Sequence, residues 1–183
     1  GGFAPLLSNN EEAIEFILES IVKSGFKPGK DISLCLDIAA NEFYQNRKYA
    51  IKSSNFISPQ KTLEYYVDLT KKYPIKSIED PFNEDDWDSW VELTKTLDKE
   101  IQIVGDDLFV TNKERLLNGI KLQAANTILI KPNQIGTLTE TIEVINLVRG
   151  LDDPYPGAFI NFNGNKYIVK NIKAHGLQMA GIP

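Results

Sequence analysis

Cysteine, histidine and methionine each occur only once in this 183-residue sequence, as Cys35, His175 and Met179. A single thiol excludes a disulfide framework within the chain and a zinc site built from cysteines. Because Cys35 lies in an apolar run at 33–36, we expect it to be a small core residue and not a nucleophile. The lack of paired cysteines favours a cytoplasmic location. A Ser/His/Asp mechanism would depend on His175 alone.

Basic clusters, long apolar runs and nucleotide-binding loops are also missing. The net charge is −5 and no block of lysine or arginine occurs, which argues against nucleic acid as a partner. No apolar run approaches the ~20 residues that a membrane span needs. The stretch 25–30, GFKPGK, is shorter than a phosphate-binding loop, and no serine or threonine follows its lysine. We therefore expect neither a nucleic-acid nor a membrane partner.

The composition that remains is typical of a globular domain. Hydrophobic residues make up 42% of the chain and charged residues 25%, and the length fits one domain of ordinary size. The printed chain starts at Gly1, and its methionine lies near the other end. We therefore expect a fragment or a processed product of a longer chain.

Short apolar runs alternate with amphipathic helical segments along most of the chain, which indicates parallel strands joined by crossover helices. The predicted helices begin at Asn9 or Asn10, at Ser58, near Asp86, at Asn112 and at Thr137 or Thr139. The predicted strands are 32–38, a run that ends at Glu79, 101–104 and 127–130. Their continuous apolar character is typical of strands that are buried on both faces. The predicted fold class is therefore α/β with a parallel sheet.

The last part of the chain departs from this alternation. Proline and glycine interrupt it at 154–157, and the apolar residues on either side of Asn163-Gly164 predict a β-hairpin over 159–169. We therefore place a domain boundary near residue 150, with a barrel-type domain at 1–150 and a short β-rich tail at 151–183.

Four charged side chains stand where the four predicted strands end: Asp37, Glu79, Asp106 and Lys131. The carboxyl ends of parallel strands in a β/α barrel share one rim, so residues far apart in the chain converge there. Converging carboxylates repel one another unless a cation balances them, and hard oxygen ligands favour Mg²⁺. A lysine beside such a site is a candidate base, because positive charge and burial lower its pKa.

Two other interpretations of these residues stay open from the pattern alone. Acidic residues at strand ends are also common as helix caps and turn formers. In addition, Asp80 follows Glu79 and Asp107 follows Asp106. Since neighbouring strand residues point to opposite faces, we expect only one side chain of each pair to face the site, and the pattern does not say which one.

Several segments, taken together, resemble the enolase family over residues 1–148. They are GGFAP at 1–5, LDIAANEFY at 36–44, SIEDP at 77–81, EDDW at 84–87, VGDDLFVTN at 104–112 and LIKPNQIGTLTET at 129–141. The resemblance implies a partial enolase-type (β/α) barrel. It further implies that Asp37, Glu79 and Asp106 bind Mg²⁺ and that Lys131 takes the proton from carbon 2 of 2-phosphoglycerate. The implied reaction is the glycolytic lyase step that yields phosphoenolpyruvate and water.

The resemblance also implies groups that the printed sequence lacks. The family's general-acid glutamate would stand immediately before Gly1, and a Ser-His-Arg-Ser-Gly-Glu stretch is expected after residue 150 but is absent. We therefore expect little or no turnover by this chain alone. One alternative is a non-catalytic fragment or fusion that acts through assembly, because a partial barrel leaves strand edges open and favours a homo-oligomer.

A second alternative comes from the tail. Residues 148–159, VRGLDDPYPGAF, resemble a formyltransferase segment, and the likeness extends weakly over 148–174. This resemblance implies a fusion of two unrelated pieces, with the junction near residue 150. The alternative is a divergent, loop-rich tail.

Overall fold

The computed structural model describes residues 4–52, 55–97, 100–150, 159–162 and 165–168. The helices are α1 Asn10–Lys23, α2 Pro59–Lys72, α3 Trp87–Leu97, α4 Lys113–Leu122, α5 Pro132–Ile135 and α6 Leu138–Gly150, with a 3₁₀ turn at Ala40–Phe43. The strands are β1 Leu34–Asp37, β2 Tyr44–Gln45, β3 Lys48–Lys52, β4 Asn55–Ile57, β5 Ile75–Glu79, β6 Gln102–Gly105, β7 Thr127–Ile128, β8 Phe159–Phe162 and β9 Asn165–Ile168.

The main sheet is parallel, which confirms the predicted α/β class. Its order is β1-β5-β6-β7, so neighbouring strands in the sheet are joined by helical connections. Asp37 is the partner of Glu79 in the β1–β5 pair, and Glu79 is the partner of Val104 in the β5–β6 pair. The carboxyl ends of these strands therefore lie level with one another along one edge of the sheet.

The predicted helix caps are confirmed by their hydrogen bonds. The Asn9 side chain accepts from the backbone N–H of Glu12 at 2.8 Å, and the Asn112 side chain accepts from the N–H of Arg115 at 3.0 Å. Ser58 caps α2, whose first residue is Pro59. Each cap satisfies a backbone donor that the first helical turn leaves unpaired. The helices therefore begin where local sequence chemistry dictates.

The core lies where α2 and α3 pack on the parallel sheet. Trp90 and Leu93 on α3 are fully buried, as are Ile78 on β5 and Ile103 on β6. These side chains stand on the apolar faces of their elements, so burying them provides most of the force that holds helices on the sheet.

A three-stranded antiparallel sheet, β2-β3-β4, follows β1 and was not predicted. Its centre is Tyr49, which is fully buried. The Tyr49 hydroxyl donates to Asp86 Oδ2 at 2.7 Å and accepts from the N–H of Asn83 at 3.0 Å. The small sheet thus holds the loop between β5 and α3, which starts at the rim of the main sheet.

Cys35 corrects one prediction. It is exposed and not a core residue, and β1 as a whole is only partly buried. In the part of the chain that the structure describes, β1 pairs with β5 along one edge only. The expectation that each strand is buried on both faces therefore fails at this end of the sheet.

The tail contains the predicted antiparallel pair, with Phe159 opposite Ile168 and Phe162 opposite Asn165. The predicted turn at 163–164 lies outside the described residues, and so do 151–158, His175 and Met179. The domain boundary near residue 150 stays a prediction. Within the described residues, no helix is both long enough and apolar enough to cross a membrane.

Candidate active site

The site is built at the carboxyl edge of the parallel sheet. Asp37 ends β1 and Glu79 ends β5, and the register makes them neighbours. Asp106 follows the last residue of β6, Gly105. An added Cβ on Gly105 would lie 2.6 Å from Cδ2 of Phe109. The missing side chain therefore lets the loop after β6 fold tightly onto the strand end, which brings Asp106 to the rim.

Oxygen atoms of Glu79, Asp80 and Asp106 lie within 4.8 Å of one another. Asp80 joins this group although one member of the pair 79–80 was expected to point away. The reason is that β5 ends at Glu79 and Asp80 has a φ of 44°, in the left-handed region. The alternation of side chains holds only for extended backbone, so it stops at that residue.

Negative charge is concentrated at Glu79. Burial raises the pKa of Glu79 to about 7, and the charges of Asp37, Asp106 and Asp80 add to the shift, while Lys131 opposes it. Burial likewise raises the pKa of Asp80 to about 6, although hydrogen bonds from the N–H groups of Asp107 and Asp106 oppose this. The carboxylates outnumber the one neighbouring lysine, and this imbalance is what a divalent cation would neutralise.

Lys131 reaches the same group of carboxylates from the loop after β7, where it directly precedes α5. Its Nζ forms a hydrogen-bonded ion pair with Oδ2 of Asp106. Its backbone N–H donates to Oγ1 of Thr111 at 2.8 Å, and Thr111 is fully buried. The contact with Asp106 raises the pKa of Lys131. This is opposite to the lowered pKa that we expected, because the nearest charge is a carboxylate.

Sequence reasoning missed Gln134, which also contacts Asp106. Its Nε2 donates to Asp106 Oδ1 at 3.0 Å, while its buried Oε1 has no hydrogen-bond partner. Gln134 lies on the short helix α5, which begins at Pro132 directly after Lys131. Proline in the first helical turn was the available signal, since it predicts a turn that brings position 134 back toward the lysine.

A second polar network, also missed, joins the loops after three strands. Asn41 donates from Nδ2 to Asp107 Oδ2 at 3.0 Å. The Oδ1 of Asn41 accepts from Asn83 Nδ2 at 2.7 Å and from the N–H of Glu84 at 3.1 Å. Asp107 is thus bound to Asn41, whereas Asp106 is bound to Lys131 and Gln134. The two adjacent aspartates have separate partners.

The structure therefore places all four predicted site residues along one rim, but the carboxylate oxygens within 4.8 Å of one another belong to Glu79, Asp80 and Asp106 and not to Asp37. Asp37 neighbours Glu79, and Asp106 contacts Lys131. Parallel strands with helical connections, and acidic side chains and a lysine at their carboxyl ends, define a β/α-barrel type of domain with a candidate cation site.

Comparison with known proteins specifies this class. The model of the family described as "Enolase, C-terminal TIM barrel domain" matches residues 1–152. An enolase of Pelagibacter ubique (strain HTCC1062) is 53% identical over 149 residues. The chain belongs to the enolase family. The matched region covers 81% of this chain and 35% of that relative, so the chain spans about a third of the relative's length.

Proposed function

We propose that this chain supplies the Mg²⁺ site and the proton-abstracting lysine of an enolase-type lyase, which converts 2-phosphoglycerate to phosphoenolpyruvate and water. The observation that supports the proposal is the convergence of Asp106, Glu79 and Lys131 at one rim, with Asp37 beside Glu79. The match to the enolase relative covers most of this chain. The 2-phosphoglycerate reaction is part of the proposal and rests on the family assignment.

The donor set fits Mg²⁺. Asp37, Glu79 and Asp106 would hold the ion, because all three offer carboxylate oxygens, the hard ligands that Mg²⁺ prefers. The raised pKa of Glu79 supports this choice, because it reflects burial of the carboxyl together with the negative charges of Asp37 and Asp106. When bound, Mg²⁺ supplies positive charge that stabilises a substrate carboxylate on its way to the enediolate form.

Lys131 would take the proton from carbon 2. The nearby carboxylates favour its charged form, so its neutral form requires that they be balanced by a cation. Thr111 fixes the backbone at Lys131, and Asp106 fixes its Nζ, which positions the amine at the rim. The carbon 2–hydrogen bond then breaks with its proton passing to Nζ, and the carbon 3 hydroxyl leaves as water after protonation by another group.

We propose a cytoplasmic location and a small-molecule substrate, as the family assignment suggests.

Association is a second candidate function, because a groove of about 410 Å³ runs between α1 and β1. Phe16, Ile17 and Val22 on α1 are each at least half exposed. Sedimentation of the chain beside an Ile17→Lys variant tests this. A dimer or larger species lost in the variant supports association, and a monomer in both excludes it.

Calorimetric titration with Mg²⁺ tests the principal proposal. The matched variants are Asp106→Asn, at the site, and Asp68→Asn, an exposed position on α2 with the same change of charge. We expect binding by the wild type and by Asp68→Asn, and its loss in Asp106→Asn. Equal binding in all three proteins would contradict the proposed metal centre.

The lysine is tested separately in the same preparations. With Mg²⁺ present, deuterium exchange at carbon 2 of 2-phosphoglycerate reports proton removal, and ultraviolet absorbance reports phosphoenolpyruvate. We expect any exchange to vanish in Lys131→Ala while Mg²⁺ binding persists. Exchange that survives this substitution would exclude Lys131 as the base. If the chain binds Mg²⁺ but no exchange occurs, this chain holds the metal centre, and proton removal requires a longer protein.

A further inference from the structure

Asp80 is a charged residue of the rim that is neither one of the proposed metal ligands nor the proposed base. It follows β5 directly, and it is 4% exposed. Its φ of 44° is uncommon for a residue other than glycine, and such backbone conformations are retained where the surrounding contacts enforce them.

The carboxylate of Asp80 binds the backbone that carries Asp106. Its Oδ1 accepts from the N–H of Asp106 at 3.0 Å, and its Oδ2 accepts from the N–H of Asp107 at 2.9 Å. Both oxygens are therefore occupied by successive amides of the loop after β6. Hydrogen bonds to a carboxylate are stronger than those between neutral groups, so this pair fixes the loop firmly.

The main chain of Asp80 adds two further connections. Its N–H donates to the carbonyl oxygen of Val104 on β6 at 3.0 Å. Its carbonyl oxygen accepts from the N–H of Ala40, just beyond β1, at 3.1 Å. One residue thus joins the chain segments that follow β1, β5 and β6, the same strands that carry Asp37, Glu79 and Asp106.

We propose that Asp80 is a positioning residue for the metal centre: it holds the backbone of Asp106 and so directs the Asp106 carboxylate toward Glu79. The inference rests on the proposed Mg²⁺ site. Because both Asp80 oxygens already accept hydrogen bonds from the loop after β6, we assign Asp80 this role and not that of a ligand. A buried N–H left without an acceptor is unfavourable.

Asp80→Asn isolates this role, because asparagine keeps the shape but has one acceptor oxygen. Its amide nitrogen would face a backbone N–H, so the loop that carries Asp106 must shift. Removing a partner that orients a metal ligand typically costs 10–100-fold in affinity. We expect a loss of about that size for Mg²⁺, and a smaller loss for Ca²⁺, because Mg²⁺ demands near-ideal octahedral geometry and Ca²⁺ does not.

The experiment measures Mg²⁺ and Ca²⁺ affinities and the metal-free melting temperature for the wild type, Asp80→Asn and Asp107→Asn. Asp107→Asn removes the neighbouring charge without removing an acceptor of the Asp106 amide. We expect Asp80→Asn alone to lose Mg²⁺ relative to Ca²⁺, and its melting temperature to fall because one backbone N–H loses its acceptor.

Four outcomes would overturn the inference. If Asp80→Asn binds Mg²⁺ with wild-type affinity, the positioning role is wrong and the proposed function stands. Equal losses in Asp80→Asn and Asp107→Asn would assign the effect to charge. Equal losses of both ions together with a lowered melting temperature would assign it to folding. No Mg²⁺ binding by the wild type would overturn the proposed function and this inference together.

If Asp80→Asn does not fold, Asp80→Glu replaces it in the same titrations, because glutamate keeps both oxygens on a longer side chain. A positioning role predicts a reduced preference for Mg²⁺ over Ca²⁺ in that variant. An unchanged preference would overturn the role.

Discussion

Asp37 and Glu79 are direct partners across the parallel β1–β5 pair, and burial together with the charge of Asp37 raises the pKa of Glu79. A cation bound between two such carboxylates is favourable, because its positive charge offsets their mutual repulsion.

We predict that Asp37→Asn weakens Mg²⁺ binding by at least about tenfold, which corresponds to about 1.4 kcal/mol. The substitution removes a carboxylate ligand and its charge while keeping the side-chain volume. Calorimetry against Asp68→Asn checks the prediction. Unchanged affinity would remove Asp37 from the ligand set and leave Glu79 and Asp106 as the acidic ligands to examine.

Mg²⁺ binding should depend on pH through Glu79. The pKa of Glu79 is raised from 4.5 to about 7, so below pH 7 the ion must displace a proton. We predict that the apparent affinity falls about tenfold per pH unit below pH 7 and levels off above it. Titrations at several pH values check this, and a flat profile from pH 5.5 to 8.5 would contradict it.

The same shift predicts the stability of the metal-free chain. A carboxyl whose pKa is raised by folding binds its proton more tightly in the folded state. Its favourable contribution to the free energy of unfolding is therefore complete below pH 4.5. That contribution is lost as the pH rises toward 7. We expect Glu79→Gln to remove this loss, so that its melting temperature exceeds that of the wild type above pH 7. Parallel melting curves at every pH would be evidence against the shift.

Gly119 is predicted to resist substitution although it lies in a helix. An added Cβ would lie 2.8 Å from Cζ of Phe109, which is buried. Alanine normally gains about 1 kcal/mol over glycine in a helix, but overpacking costs about 1–3 kcal/mol. We expect Gly119→Ala to lower the free energy of unfolding in urea. Asn118→Ala, at an exposed position of the same helix, should leave it unchanged or slightly raised.

Cys35 should react with a thiol reagent in the native protein. It is exposed, and it is the one cysteine of the sequence, so a single equivalent is expected. We predict a reaction rate within about tenfold of that in urea, since exposure and thiolate character govern reactivity. Strong protection in the native chain would mean that β1 is covered on that face.

Local chemistry was enough to predict the helix starts and the class of the fold. Asn9, Ser58 and Asn112 cap helices because each side chain satisfies a donor a few residues away, which requires no distant contact. The alternation of apolar runs and helices likewise predicted the parallel sheet. The positions of Asp37, Glu79 and Asp106 at strand ends followed from that alternation, whereas β7 ends at Ile128, before Lys131.

The antiparallel sheet after β1 was beyond the reach of such signals. Its strands are two to five residues long, and the buried Tyr49 at its centre contacts Asp86 and Asn83, more than thirty positions away. Short strands carry too few residues for a period-two pattern to be recognised. Their formation depends on the loop against which they pack.

The sequence by itself determined which residues of this protein carry charge and at which strand ends they stand. The tertiary structure alone decided that Asp80 turns inward, that Gln134 reaches Asp106 and that the pKa of Lys131 is raised. Each of these depends on a backbone angle or a strand register that distant segments impose on one another. A pattern of residue types along the chain does not contain that information, because it is fixed only when the segments pack.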